Sequence, residues 1–223
     1  MSYYPIFVDL DGKKVLVVGG GRIAQRKAVT LIEFGALIHL VSDDLTSKLK
    51  ELVEEGEITY LGTRFRDQDL DGAFLVVAAT DDTGLNRRIS ASARGRGILI
   101  NAVDQPSDCS FIVPSIVKRG NLVIAVSTSG KSPALAKKIR KELERQFGGE
   151  YETFLIVMER LRKEILRKGL SQEENSRIFH KIIDSSSFKA VAQGEWDRLE
   201  SILCQILPEG MVVEDIFKDL VPG

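Results

Sequence analysis

Three glycines stand where an apolar run meets a helical one: Val15-Leu16-Val17-Val18-Gly19-Gly20-Gly21-Arg22-Ile23-Ala24. A buried strand feeding a Gly-x-Gly-x-x-Ala corner has the chemistry of a dinucleotide-phosphate site. Gly19 permits the tight turn, Gly21 lets the backbone approach a pyrophosphate, and Ala24 takes the small position where helix packs on strand. The N–H groups at the start of the helix, at Arg22 and Ile23, then face the phosphates. The next apolar run ends at Ser42-Asp43-Asp44, about 20 positions on, where an acidic side chain bonds the adenine ribose hydroxyls. A carboxylate there repels the extra phosphate of NADP, so NAD is the expected cofactor. Arg22 pulls the other way, because an arginine near that pocket accepts a phosphate.

Two further strand ends bring polar groups to the same place. Thr80 follows the run 74–79 and is placed to bond ribose or phosphate, while Asp81 and Asp82 read as the N-cap of the next helix. Asn101 lies near the end of the run 97–103 and Asp104 just after it, in the half of the crevice where a nicotinamide belongs. A carboxylate at position 104 serves as a general base if its surroundings raise its pKa. Two residues before Pro106, it serves equally as a turn aspartate bonding its own backbone. Position alone leaves both readings open. The two histidines offer no alternative base: His39 lies inside a strand and His180 far along the chain. Cys109 reads as a small packing residue.

The elements that must hold these groups follow from periodicity. Strands are expected at 4–9, 15–18, 36–41, 56–61, 74–79 and 97–103, with helices at 22–34, 45–55 and 84–94 between the later ones. Strand–helix alternation with near-continuous apolar strands gives an α/β fold, a Rossmann-type doubly wound parallel sheet. Ligands of such sheets lie at the carboxyl ends of the strands, where all the groups above converge.

A small α+β segment follows. Strands are expected at 111–113 and 122–126. Ser127-Thr128-Ser129-Gly130-Lys131 then leads into a helix capped by Ser132 and started by Pro133, with Leu135, Ile139, Leu143 and Phe147 on one face. Hydroxyls, a glycine, a lysine and a helix N-terminus make an anion site. Arg119, Lys137 and Lys138 are further cations, although each also reads as solvated surface. Beyond Gly148-Gly149 the pattern is helical: 151–168, a helix opened by the capping box Ser171-x-x-Glu174, 188–206 and 213–220. The expected division is 1–113, a nucleotide-binding domain; 114–147, a small α+β segment; and 148–223, a helical domain.

Composition excludes several classes. The 223 residues carry 31 basic and 32 acidic side chains, a balance unlike that of a dedicated nucleic-acid binder. No run of about 18 apolar residues crosses a membrane. The first residues lack a basic segment before an apolar run, and the two cysteines are far apart, so a reduced, cytoplasmic protein is expected. No cluster of His, Cys and Asp has metal-ligand spacing.

Six motifs occur together and in order: Pro5-Ile-Phe7, Val18-Gly-Gly-Gly-Arg-Ile-Ala-Gln-Arg-Lys27, Ala78-Ala-Thr-Asp-Asp82, Asn101-Ala-Val-Asp104, Ser110-Phe-Ile-Val-Pro-Ser115 and Ala125-Val-Ser-Thr-Ser-Gly-Lys-Ser-Pro133. Over about residues 1–147 the chain resembles precorrin-2 dehydrogenase/sirohydrochlorin ferrochelatase, the N-terminal module of siroheme synthase. The resemblance implies NAD-dependent oxidation of precorrin-2 to sirohydrochlorin, followed in bifunctional members by insertion of Fe2+ at the same site. It assigns the key aspartate to Asp104, both to take the proton that leaves with the hydride and to strip ring N–H protons before metal enters. It also implies a homodimer built by the second segment, with a polycarboxylate tetrapyrrole held near the subunit boundary. One residue departs from the family pattern: Thr128 stands where serine is expected, keeping the hydroxyl on a stiffer side chain. Residues 150–223 contain no glycine-rich methyl-donor loop, so methyl transfer is not expected. The reading from another class is a regulatory module that binds NAD without turnover; a sensor needs neither Asp104 nor a polyanion loop. A dedicated chelatase with vestigial NAD binding fits poorly with an intact glycine loop.

Overall fold

The computed structural model describes residues 3–103, 105–211 and 213–220. Asp104, to which the resemblance assigns the key aspartate's role, lies outside the described residues. The chain divides into two compact units, Met1–Val113 and Pro114–Gly223.

The first unit is built on five parallel strands, β1 (Lys14–Val18), β2 (Leu37–Val41), β3 (Ile58–Gly62), β4 (Leu75–Ala78) and β5 (Leu99–Ala102), in the order β3-β2-β1-β4-β5. Side chains alternate between the two faces of a strand, and here both faces are covered. Val15, Val17, Ile38, Leu40 and Val77 pack on Ala24 and Ala28 of α1 (Arg22–Ile32) and on Leu49 and Leu52 of α2 (Ser47–Glu54). Leu16, Val18, Val76 and Ile100 pack on Ile89 and Ala93 of α3 (Thr83–Gly95), with Phe65 and Leu70 beside them. The chain leaves β1 toward β2 and returns to pair β4 on the other side of β1, so a crevice opens at the carboxyl ends of β1 and β4. The expected Rossmann-type sheet is the fold observed.

The segment 4–9 is not a strand. Tyr4, Ile6 and Phe7 are 87%, 66% and 76% exposed. Alternating apolar residues make a strand only where a neighbour accepts their backbone groups. Here the Asp9 carboxylate instead accepts the Asp11 N–H at 3.0 Å and starts a turn.

In the second unit β6 (Ser115–Arg119) pairs antiparallel with β7 (Leu122–Val126) across a two-residue Gly120-Asn121 connection. The strand expected at 111–113 lies instead beyond Pro114; proline has no N–H for a ladder. The helices α4 (Pro133–Gln146), α5 (Glu150–Arg167), α6 (Gln172–Asp184), α7 (Ser187–Gln193), α8 (Trp196–Ile206) and α9 (Glu214–Phe217) follow. The expected helix 188–206 is two helices, because Gly194 turns left-handed at φ 68° and closes α7. Ser171 and Glu174 form the expected capping box on α6. Phe154, Leu161 and Ile165 of α5 meet Ile182, Leu199 and Leu203 in one core.

Candidate functional site: a dinucleotide cavity at the strand ends

The glycine loop is stitched to its neighbours by backbone bonds. The Gly19 N–H donates to the Val41 carbonyl at 2.8 Å, and the Gly20 carbonyl accepts the Thr46 N–H at 3.1 Å. Each glycine has a different reason to be one. Gly19 has φ 118°, and a Cβ there would strike the Ala79 carbonyl. A Cβ on Gly20 would overlap the Asp44 carbonyl and crowd the Ser42 hydroxyl. A Cβ on Gly21 would meet no protein atom within 4 Å. Gly19 and Gly20 are thus demanded by the fold, whereas the space above Gly21 belongs to the cavity.

That cavity measures about 660 Å³ and is lined by Gly19, Gly20 and Gly21, by Ser42, Asp43 and Asp44, and by Thr80 and Asp81. Helix α1 opens at Gly21 with no side-chain cap and no acidic residue in its first turn. Its positive end has no anion of its own, as a phosphate site requires. The donor set fits a dinucleotide: uncapped N–H groups and a glycine cradle for the pyrophosphate, and a carboxylate for a ribose diol. Asp43 is exposed, while the Asp44 carboxylate accepts the Leu45 N–H at 2.8 Å. Ser42 is spent on the turn, its hydroxyl donating to the Asp44 carbonyl at 2.7 Å. Thr80 donates its hydroxyl proton to buried Asn86 at 2.8 Å, which leaves the oxygen to accept. Asp82 caps α3, accepting the Gly84 and Leu85 N–H groups at 2.8 and 3.0 Å.

Three residues expected to touch the cofactor do not line the cavity. Arg22 and Ile23 are exposed at the start of α1. Asn101 is held on the face of β5 toward α1, where its Oδ1 accepts from Lys27 Nζ at 2.8 Å and its Nδ2 donates to the Phe111 carbonyl at 3.3 Å. Burial, and then the charge of Arg26, hold the Lys27 ammonium below the usual lysine range. Cys109 packs against the end of β5. Its Sγ accepts the Ala102 N–H at 3.2 Å and donates to the Ala102 and Gln105 carbonyls at 3.2 and 3.4 Å. Ala102 and Gln105 are therefore tied to one sulfur. His39 lies inside β2, as expected; burial, then Lys14, push its pKa down.

The cavity also has lining the sequence reading missed: Thr46, Thr63, Arg64 and Phe65. The signal was present, since Thr63 and Arg64 follow the carboxyl end of β3.

In the second unit the loop 127–131 is pre-shaped. Ser127 Oγ accepts the Ser129 N–H at 3.0 Å and Thr128 Oγ1 accepts the Ser132 N–H at 3.1 Å, with Ser129 at φ 52°. Gly130 and Lys131 are exposed. Ser132 caps α4, accepting the Leu135 N–H at 3.3 Å. Arg119 is committed elsewhere: it donates to the Phe147 and Glu144 carbonyls at 2.9 and 3.1 Å and closes the end of α4. Leu135, expected on the packed face of α4, is 48% exposed, and Ala136 is buried instead. Among the described residues no group of three or more His, Cys, Asp or Glu side chains has the geometry of a metal site, and no helix is long and apolar enough to cross a membrane.

Fold and cavity define an NAD(P)-binding domain of the Rossmann type, and an NAD(P)-binding family matches residues 6–115. The sirohaem biosynthesis protein central family matches residues 119–146. The siroheme synthase of Photorhabdus laumondii is 37% identical over 209 residues, which are 94% of this chain and 44% of that protein. Siroheme synthase 1 of Serratia proteamaculans is 40% identical over 195 residues, 87% of this chain and 41% of its own length. The chain thus spans less than half the length of the curated relatives it matches. The solved structure of SirC, a precorrin-2 dehydrogenase, superposes with a TM-score of 0.71 at 28% identity, covering 92% of this chain and 98% of that one. Over 87–94% of its length the chain is thus similar to part of these siroheme synthases.

Proposed function

We propose that this chain oxidises precorrin-2 to sirohydrochlorin with NAD+, in siroheme biosynthesis. The observation that carries the reading is the cavity at the strand ends, with an uncapped helix N-terminus and the Gly21 cradle on one side and Asp43 on the other. The likeness to SirC along nearly its whole length supports the choice of substrate. When bound, NAD+ supplies the hydride acceptor. The chain's own residues do the rest. Gly19, Gly20 and Gly21 and the start of α1 hold the pyrophosphate, with Arg22 and Ile23 supplying N–H groups. Asp43 and Asp44 hold and select the ribose, with Ser42 shaping the turn. Thr80 accepts from a cofactor hydroxyl, and Asn101 orders the nicotinamide side. Asp104 takes the proton released as the substrate loses its hydride. Ser127, Thr128, Ser129, Gly130 and Lys131 bind substrate carboxylates.

The reading extends to a cytoplasmic homodimer formed through residues 114–147, with 148–223 as a helical domain, and to Fe2+ insertion into sirohydrochlorin as a second activity using the same aspartate. An anaerobic assay with purified protein, precorrin-2 and NAD+ tests it, following NADH and the tetrapyrrole spectrum. Sirohydrochlorin forming only with NAD+ is expected, and Fe2+ added to the same cuvette then reads chelation. Asp104→Ala is expected to abolish turnover while NAD+ affinity stays within about twofold, since the phosphate loop is untouched. Full dehydrogenase activity in that variant would remove Asp104 from the mechanism.

A further inference from the structure

The sequence places one arginine, Arg22, against the expected NAD preference, yet Arg22 does not line the cavity and Arg64 does. Arg64 is brought there by fixed points on either side. Before it, Gly62 pairs with Val41 of β2, and the Ser42 N–H donates to the Gly62 carbonyl at 3.1 Å. After it, Phe65 is only 9% exposed, seated in the core beneath β1 and β4. The backbone at 63–64 is thereby held beside the Ser42-Asp43 turn, and the cavity is lined by both Asp43 and Arg64.

Neither charge is used by the fold. Among the described residues Asp43 and Arg64 have no ion pair or side-chain hydrogen bond, with each other or with anything else. The neighbouring Asp44, by contrast, is engaged with the Leu45 N–H. A ribose diol donates to a carboxylate and needs no cation. A 2′-phosphate is repelled by that carboxylate and is matched by a guanidinium, whose planar fork takes two phosphate oxygens at once. Two opposite charges on one wall therefore act in opposite directions on the same substituent of the cofactor.

We infer that Arg64 is the residue that sets how strongly the site discriminates NAD from NADP, by offsetting the repulsion of a 2′-phosphate by Asp43. This rests on the dinucleotide reading of the cavity and deepens it. The site favours NAD through Asp43 and keeps a measurable affinity for NADP through Arg64.

Titration of NAD+ and NADP+ into the full chain and into Arg64→Ala and Arg64→Lys tests this. Arg64 is exposed, so both variants fold, and melting curves check that they do. Arg64→Ala is expected to weaken NADP+ about tenfold while NAD+ shifts by less than twofold, the loss of one charge-assisted phosphate contact. Arg64→Lys keeps the charge without the fork and is expected to fall between. Equal shifts for both dinucleotides, or none for either, would overturn the role of Arg64 while leaving the cavity a dinucleotide site. Failure of the unaltered chain to bind either dinucleotide would overturn both.

Discussion

Gly20 and Gly21 are adjacent, yet substitution should separate fold from function. A Cβ on Gly20 overlaps the Asp44 backbone, and neither turn can move without breaking the bonds from Gly19 and Thr46 that stitch them together. Gly20→Ala should therefore cost about 1–3 kcal/mol, as for other core overlaps, and lose NAD+ binding with it. A Cβ on Gly21 meets only open space. Gly21→Ala should leave the urea midpoint of the apo chain unchanged and weaken NAD+ at least tenfold, because the methyl stands where the pyrophosphate approaches. Equal NAD+ affinity in Gly21→Ala and the parent would remove the cradle from the site. The glycine triplet was legible in sequence because strand, turn and helix all point to it. Which glycine serves the fold and which the ligand was not legible, since that depends on what stands opposite each Cβ.

At the scale of elements, the parallel sheet and its crevice were readable from runs such as Leu75–Ala78, apolar throughout because both faces are buried. The segment 4–9 carries similar residues and forms no strand, and 111–113 gives way to a strand beyond Pro114. Pairing partners decide these cases, and periodicity does not contain them. The same limit hid the contact between α1 and β5. Lys27 lies among the helix's polar residues in sequence, but in the fold it reaches Asn101 at the end of the strand that leads to position 104. Its ammonium holds the Asn101 amide, whose Nδ2 is then aimed at the Phe111 carbonyl. Lys27→Met removes this donor from a half-buried acceptor and should cost about 1 kcal/mol, part of the lost bond being returned by the relief of lysine desolvation. Its larger effect should fall on kcat, lowered about tenfold through a loosened β5 end, with NAD+ affinity within twofold. A lower NAD+ affinity at unchanged kcat would place Lys27 with the cofactor instead.

Across the whole molecule charge is balanced, and most ion pairs among the described residues are short-range, such as Lys48–Glu51 and Arg198–Glu195. Exposed pairs of this kind contribute little. Arg160 and Asp219 are different in reach, joining positions 59 apart in the second unit. Arg160 Nη2 donates to Asp219 Oδ2 at 2.9 Å, and Nη1 also donates to the Ile216 carbonyl at 2.8 Å, so α5 holds both α9 and the turn that follows it. The guanidinium bond holds the Asp219 carboxyl down to about 2, from an ordinary 3.8. A carboxyl whose folded pKa is depressed gives stability that is complete above the unfolded value and lost as pH falls through the folded one. The contribution of this pair should therefore be constant from neutral pH down to about 4 and fade between about 4 and 2. Trp196, the sole tryptophan, stacks on Phe217 of α9 with ring centroids 5.6 Å apart, so its fluorescence reports on this corner. Urea titrations followed at Trp196 should show Asp219→Asn less stable than the parent at pH 7. The gap should close as pH falls through that window, because protonation does to the parent what the substitution has already done. A gap that persisted unchanged to pH 2 would mean that the asparagine disturbs packing rather than charge, and that the tether is not what holds α9 to α5.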